Sequence, residues 1–270
     1  MAGLGTDGSG VFINPKMRTW RHPFHRLKFK VYVSAGGVVD ETQADAQIVE
    51  RLTRLVNNIE GHGKHRLLAF DKNYRRDRTA DLRKTEFYVP NDHVFSIAAA
   101  HPDLFEPVIS VNPYRPDALN ELERGQKRGA RMVKWLPNAM GIDPSDELCD
   151  PFYQQMKRLG LVLLLLFADI SAMTQYNRAG ALRTILARED LHERLVNGSD
   201  YPLPAINILI RTGGLVKQGY INADERACLN EIYDYNPLLF DFVLKRTLKL
   251  PGTSKRLPAS VFMANRELEA

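Results

Sequence analysis

The stretch LGLVLLLLFADISAMTQ, residues 159–175, decides how many strands the central part of the chain contains. Its apolar run from Leu159 to Ala168 is broken only by Gly160. The run is longer than an average strand of about five or six residues and shorter than the roughly 20 apolar residues that span a bilayer. It is therefore either one overlong strand or two strands joined without a connection.

The segments on both sides of the run alternate between helical and extended patterns. Apolar spacing and turn signals predict strands at residues 66–71, 107–112, 131–136, 161–170 and 194–199. The helical patterns lie at residues 45–60, 92–101, 116–128, 149–160 and 177–190, with one or two further helices at 224–249. Strands that alternate with helices are typical of a parallel α/β domain.

Three residues follow predicted strands and are candidates for chemistry. Asp200 comes after RLVNGS, Lys134 lies near the end of ARMVKWLP, and Asp169 ends the long apolar run. Parallel strands present their carboxyl ends at one rim, where the functional groups of such folds collect. We predict that residues 161–171 form one extended segment and that Asp169, Lys134 and Asp200 lie near the same rim. Asp200 could instead cap a turn, Lys134 could form an ordinary surface ion pair, and Asp169 could cap the end of its strand.

Composition indicates an ordinary soluble globular protein. The chain has 270 residues, of which 44% are hydrophobic and 26% charged. The start, MAGLGTDGSG, has neither a basic nor an apolar signal region, and no segment is long and apolar enough to span a membrane. We therefore expect a cytoplasmic protein without a membrane partner. Cys149 and Cys228 form no CxxC motif and indicate neither a disulfide framework nor a thiolate zinc site.

The positive charge is grouped but carries no nucleic-acid motif. The formal net charge is +5, and basic residues gather at 18–30, 64–84 and 245–256. Such clusters could bind phosphates non-specifically. The middle cluster also contains Asp77 and Asp81, as solvated surface segments commonly do. Nucleic acid is therefore an unlikely partner, and a polyanion-binding module is the weakest of the functional hypotheses.

Two short motifs fail on their context. GLGTDG at residues 3–8 matches the spacing of a dinucleotide-binding loop, but only Met1 and Ala2 precede it, so no strand leads into it. The histidine pairs His22–His25 and His62–His65 enclose Pro23 and Gly63, which disfavour a regular helical pair of metal ligands. A flexible loop and polar surface residues are the better interpretations.

Several longer stretches together resemble the amidohydrolase superfamily, in its branch of amidohydrolase-related metal-dependent hydrolases and decarboxylases. They are GLGTDGSGVFINPKM at the start, ARMVKWLPNAMGIDPSDELCDPFYQQMKRLGL in the middle, and LFADISAMTQYNRAGALRTIL with RLVNGSDYPLPAIN later. The resemblance covers most of the chain. Its most specific parts are KWLPNAMGIDP and the GSDYP ending.

The resemblance implies a TIM-barrel fold and a divalent metal, zinc or similar, that activates water for attack on a small organic substrate. Asp200 matches the family's aspartate after the eighth strand, which makes it the expected catalytic and metal-binding residue. Lys134 is the expected contact to an anionic substrate. The family's histidine ligands should stand before GLGTDGSG and after LVLLL, and this sequence has none at either place.

These departures shape the expected fold. The long run resembles the family's fifth strand joined to its seventh, and the remaining five strands cannot close an eight-stranded barrel. We therefore expect residues 1–270 to form one incomplete or distorted TIM-barrel-like α/β domain. It would comprise an entry segment at 1–65, β/α units at 66–200 and C-terminal helices at 201–270. A homo-oligomer would cover the exposed sheet edges.

Two functional hypotheses of different class follow. In the first, the chain is an amidohydrolase-related metal-dependent hydrolase or decarboxylase, impaired or inactive because most ligands are missing. In the second, it is a non-catalytic truncated remnant or pseudoenzyme with a binding or assembly role. One aspartate alone is a poor metal site, since zinc takes three or four protein ligands. We therefore expect this chain to bind the family's divalent metal weakly or not at all.

Overall fold

The computed structural model describes Gly3, Gly5 and residues 8–164, 168–206 and 208–263. The chain divides into two compact units. The first contains the described residues up to Thr53 together with residues 63–164, and the second contains Arg54–His62 and the described residues from 168 onward. The division into one domain of three segments stays a prediction.

Short strands and longer helices make up the first unit. Its strands in the described residues are β1 (Phe12–Ile13), β2 (His65–Leu68), β3 (Phe87–Tyr88), β4 (Phe105–Val108), β5 (Met132–Val133) and β6 (Val162–Leu163). Its helices are α1 (Pro23–Ala35), most of α2 (Ala44–Asn57), α3 (Asn91–Ala100), α4 (Ala118–Lys127), α5 (Pro137–Met140) and α6 (Asp150–Leu159). The last turn of α2 belongs to the second unit.

Four of these strands run parallel in the order β2, β4, β5, β6. β2 pairs with β4 and β5 pairs with β6, while a parallel bridge from Ile109 to Val133 joins the two pairs. The helix between each two consecutive strands is the crossover that parallel neighbours require. Because the strands are parallel, their carboxyl ends lie along one edge, and Lys134 is at this edge directly after β5.

Helix α4 packs closely on this sheet. Leu122 is fully buried, and Gly125 on the same helix faces Ile109. A Cβ atom at position 125 would lie 2.6 Å from Ile109 Cδ1, so a larger residue here would force the Ile109 side chain to move. Trp135, directly beyond β5, is covered by Phe152 of α6 with ring centroids 5.1 Å apart.

An antiparallel pair and a second core were not anticipated. β1 pairs with β3, so that Phe12 lies opposite Tyr88. Beside them, α1 and the start of α2 contribute to a cluster of buried residues: Ile13, Met17, Phe29, Val33, Ala44 and Ile48. The basic, aromatic stretch 18–30 thus contains most of helix α1, which the sequence analysis did not predict.

The second unit has one parallel strand pair and a helical core. Its strands are β7 (Ala168–Asp169) and β8 (Leu195–Val196), and its helices are α7 (Ala179–Ala187), α8 (Thr212–Lys217), α9 (Ala223–Tyr235) and α10 (Pro237–Thr247). The 224–249 region is thus two helices. Its core is apolar and almost fully buried, with Leu182, Leu186, Leu195, Leu229, Phe240 and Leu244 among its members.

The long apolar run contains two strands, not one. β6 pairs with β5 in the first unit, whereas β7 pairs with β8 in the second. Leu164 has already left the extended conformation, and residues 165–167 lie outside the described residues. The prediction of one extended segment at 161–171 is therefore wrong for its described part. Each half of the run pairs with a different strand. The apolar residues of the run do not by themselves specify these partners.

The sheet topology is an α/β fold without closure. In the part of the chain that the structure describes, the strands form pairs and one parallel row, and no closed barrel is present. Each of the five predicted segments overlaps an observed strand that is shorter than the segment, and the segment 161–170 contains two strands. Among the described residues, no helix has the length and apolar character that crossing a bilayer would need.

Asn236 supplies a stability test in the second unit. It is fully buried, its Oδ1 accepts from the N–H groups of Leu238 and Leu239, and its Nδ2 donates to Leu55 O at 2.9 Å. Replacing it with alanine removes the cap of α10 and leaves the buried Leu55 carbonyl without the hydrogen bond from Asn236. We expect N236A to lower the free energy of unfolding by about 2–3 kcal/mol in a urea titration.

The matched control is Asn222→Ala. Asn222 caps α9 in the same way, with Oδ1 accepting from Glu225 N at 2.7 Å, but it is exposed and bonds no distant backbone group. Its loss should cost about 1 kcal/mol. Equal losses for the two variants would show that the bond to Leu55 contributes nothing.

Candidate functional site

The carboxyl edge of the parallel row in the first unit is built around Ser110. Its Oγ accepts from Asp71 N at 3.0 Å and donates to Lys134 O at 2.9 Å. Lys134 N in turn donates to Ile109 O at 2.8 Å. One hydroxyl therefore joins the segments that follow β2, β4 and β5, and we call the row Asp71, Ser110 and Lys134 the rim.

Asp71 is a buried carboxylate at this rim. Its Oδ1 accepts from Lys72 N at 2.8 Å, and its Oδ2 accepts from Asn112 N at 2.7 Å and from Arg115 Nη1 at 3.2 Å. Burial raises the pKa of the Asp71 carboxyl, while Arg115 and the two backbone N–H groups oppose that shift. The group is held in place by donors from three separate positions along the chain.

Arg115 is the counter-ion of this carboxylate and is itself largely buried. Its Nε and Nη2 donate to the two oxygens of Asp117 at 2.7 and 2.8 Å. Although burial alone would lower the pKa of Arg115, the two aspartates raise it. With three donor atoms committed to Asp71 and Asp117, the guanidinium is a structural clamp.

Two tyrosines and a lysine surround Asp71. Lys72 Nζ lies 4.5 Å from the centre of the Tyr88 ring. Burial, with a smaller contribution from the Asp71 charge, raises the pKa of Tyr88 to about 12. The same two causes raise the pKa of Tyr74 to about 12. Both phenols therefore stay protonated at neutral pH and remain hydrogen-bond donors.

Lys72 and Lys134 are two cations at or beside the rim that lack an acidic partner among the described residues. Both side chains are half-buried, and neither ammonium forms an ion pair with a described residue. Three arginines in the adjoining basic segment are different, because Arg66, Arg75 and Arg76 pair with Glu106, Asp81 and Asp146 respectively. The rim thus has unpaired positive charge next to phenolic donors, which suits a carboxylate.

Asp200 lies in the second unit, four residues beyond β8. Its backbone is left-handed, with φ of 49°, a conformation that aspartate tolerates better than most residues. Its side chain is exposed, and Oδ2 accepts from Ser171 Oγ at 2.7 Å. Ser171 follows β7, so the neighbouring parallel strands bring these two groups together. The strand predicted at 194–199 is only Leu195–Val196.

A buried ion pair supports the segment before Asp200. Lys245 of α10 is fully buried, and its Nζ donates to Asp241 Oδ2 at 2.6 Å and to Gly198 O at 2.7 Å. Sequence reasoning missed this pair. The signal was present, because an Asp and a Lys four residues apart face each other on a helix.

The structure assigns the predicted candidates to separate units. Lys134 belongs to the first unit, whereas Asp169 and Asp200 belong to the second. The backbone of Asp169 pairs with Val196 in the β7–β8 ladder. Asp71 and Arg115 were not predicted. Asp71 follows the apolar segment RLLAF in the way that Asp200 follows its strand, so the same criterion would have found it.

The donor set around Asp200 does not fit a catalytic metal. Its side-chain partner is a serine hydroxyl, and among the residues that the structure describes no three His, Cys, Asp or Glu side chains converge to hold an ion. His192 is buried, with Nε2 2.9 Å from Ile185 O. His22 and His25 form an edge-to-face ring contact.

Comparison with known proteins adds little to this geometry. No family model matches the chain, and no curated protein matches it. A solved structure similar to the chain is that of an uncharacterised TIM-barrel protein from Bordetella bronchiseptica. It shares 15% identity over 71% of this chain and 83% of that one, with a TM-score of 0.45.

The two rim tyrosines generate a pH prediction. Because the folded pKa of Tyr74 and Tyr88 is raised from 10 to about 12, their contribution to stability is present below pH 10 and is lost as pH rises through about 12. In a spectrophotometric titration of tyrosinate, Y74F and Y88F should each remove one late-titrating group. D71N should shift both groups toward pH 10. Titration of the urea-unfolded chain is the reference, and coincident folded and unfolded curves would contradict the prediction.

Proposed function

We propose that this chain is an amidohydrolase-related, TIM-barrel-like α/β protein that binds a small organic carboxylate at the rim of its first unit. In this proposal metal-dependent hydrolysis is impaired, and binding is the activity that remains. The observation that carries the proposal is the half-buried Lys134, directly after β5, whose ammonium has no acidic partner among the described residues.

The physical argument concerns desolvation. A lysine that is partly removed from water loses hydration and regains that free energy best from an anion. Lys72 is in the same situation at the end of β2, and the protonated phenols of Tyr74 and Tyr88 offer neutral donors near Asp71. Two ammonium groups and neutral donors suit a compact carboxylate or dicarboxylate.

A small ligand is favoured over a polyanion by the pairing of the surrounding charges. In the basic segment 64–84, Arg66, Arg75 and Arg76 each face an acidic side chain. A nucleic acid would have to displace these partners and would meet their negative charge. This pattern supports a ligand confined to the rim.

Asp200 has a defined place in the proposal. It matches the position of the family's water-activating aspartate, and its bond to Ser171 keeps it at the carboxyl ends of β7 and β8. Without further ligands it would hold a divalent ion only weakly through water, and a bound water would not become a strong nucleophile at neutral pH. This supports an impaired hydrolase.

Binding of phthalate tests the carboxylate site. Phthalate has two adjacent carboxylates and an aromatic ring that suits a tyrosine-lined surface. By isothermal titration calorimetry we expect K134A to weaken phthalate binding by about fivefold, or roughly 1 kcal/mol, as expected for a partly exposed ion pair. The matched control is Lys157→Ala, on the exposed face of α6, which should leave the affinity unchanged.

Equal affinities for K134A, K157A and the unchanged chain would overturn the role of Lys134. A loss in K134A that is reproduced by K157A would mean that net charge, not the rim, attracts the ligand. Benzamide, which has the ring without the charge, should not bind.

Metal analysis tests the impaired-hydrolase part separately. After dialysis against buffer without chelator, we expect less than stoichiometric zinc, manganese or iron, and no hydrolase or decarboxylase activity above background. The reason is that one carboxylate and one hydroxyl cannot replace three or four preorganised ligands. Near-stoichiometric metal that is lost on Asp200→Ala and kept in Asp224→Asn, a matched change of an exposed acid on α9, would refute this part.

A further inference from the structure

Helix α1 has two apolar faces, and its partners cover only one. Phe29 and Val33, four residues apart, are buried in the core beside β1. On the opposite side, Phe24 is 85% exposed and Leu27 is 62% exposed. Trp20, just before the helix, is 78% exposed. A helix face of this kind is normally buried against another apolar surface.

Phe24 and Leu27 lie on one face of α1, because a spacing of three residues places helical side chains together. Trp20 lies in the turn before the helix and precedes Phe24 by four residues. We call Trp20, Phe24 and Leu27 the apolar strip. Isolated exposed apolar residues need no explanation, but three large ones in one strip indicate an interaction surface.

Positive charge borders the strip without any acidic residue in the same segment. From Gly8 to Val39 the sequence contains no Asp or Glu. The cations of this segment are Lys16, Arg18, Arg21, Arg26, Lys28 and Lys30. Lys28 pairs with Glu86 from the β3 side, in an exposed ion pair that contributes little. The segment therefore presents a positive surface around an apolar strip.

Arg26 lies over the indole of Trp20, with its guanidinium carbon 3.3 Å from the ring centre. This contact fixes a tryptophan next to a cation, the combination that favours the interface between water and a lipid bilayer. It also occupies one face of the indole.

We propose that Trp20 and helix α1 bind peripherally to an anionic lipid surface. The apolar strip would enter the boundary between headgroups and acyl chains, while the surrounding lysines and arginines contact anionic headgroups. Because such binding requires no spanning helix, it does not conflict with the absence of one among the described residues. It does depart from the expectation that the protein has no membrane partner.

The chemistry of the strip favours lipid over the two other occupants. Nucleic acid binds exposed aromatic rings by base stacking, but Leu27 has no ring, and one face of Trp20 is covered by Arg26. A second copy joined by a two-fold axis would place this positive surface against itself. Three side chains also provide far less than the roughly 800 Å² per partner of a stable interface.

Vesicle binding tests the proposal with the full chain. Sedimentation should show binding to phosphatidylserine–phosphatidylcholine vesicles and little binding to pure phosphatidylcholine, with the affinity falling as salt is added. Trp20 emission should shift to the blue on binding, while the buried Trp135 contributes a constant background. We expect F24S/L27S to reduce the partition coefficient at least about tenfold, because the inserted apolar area is lost.

Matched variants separate the strip from general properties of the chain. Ile208→Ser removes an exposed apolar side chain elsewhere and should change the partition coefficient less than about twofold. R21E/K30E should abolish binding, whereas K127E/K157E, with the same change in net charge, should retain it. Circular dichroism checks that each variant is folded, which exposed positions should permit.

Three results would overturn the proposal. One is equal partitioning of F24S/L27S and the unchanged chain. Another is a Trp20 response to single-stranded poly(U) that is stronger than the response to anionic vesicles, which would assign the surface to nucleic acid. The third is a concentration-dependent dimer that F24S/L27S disrupts, together with no binding to vesicles. That result would assign the apolar strip to contact with a second copy of the chain.

Discussion

The carboxylate of Asp71 accepts hydrogen bonds from Lys72, Asn112 and Arg115, and its own N–H donates to Ser110. These bonds join the ends of β2 and β4 where the strands themselves are only four residues long. Short strands provide few ladder bonds, so the side-chain bonds beyond their ends determine how the rim is held. A buried charge of this kind is costly when unpaired, by about 3–5 kcal/mol, and the position of Arg115 follows from that constraint.

The same constraint explains which cations remain available at the rim. Arg115 is fully occupied by Asp71 and Asp117, so it holds the structure together. Lys72 and Lys134 have no such acidic partner among the described residues, although both are half-buried. The carboxylate site that we propose therefore lies beside the structural ion pair, at cations without an acidic partner among the described residues.

In the second unit the buried charge is a cation, and it is held by an acidic partner and a backbone carbonyl. Lys245 is a fully buried cation that donates to Asp241 and to the carbonyl of Gly198, which positions the segment leading to Asp200. Asp200 itself stays exposed with a serine as its partner. The buried pair thus holds the segment that leads to Asp200. Among the described residues, no further metal ligands converge around Asp200.

The sequence by itself determined helices such as α2, α3, α4 and α6, because helical spacing is a local property, but it missed α1 and the β1–β3 pair. It located five strand segments and placed Lys134 after β5. It did not determine the two strands of the run 159–175, since β6 and β7 differ only in the distant strands that pair with them. Only the tertiary structure revealed that Asp71 pairs with Arg115, that Lys134 has no acidic partner among the described residues, and that one face of α1 is exposed. Each of these depends on contacts between residues far apart in sequence, which no local pattern encodes.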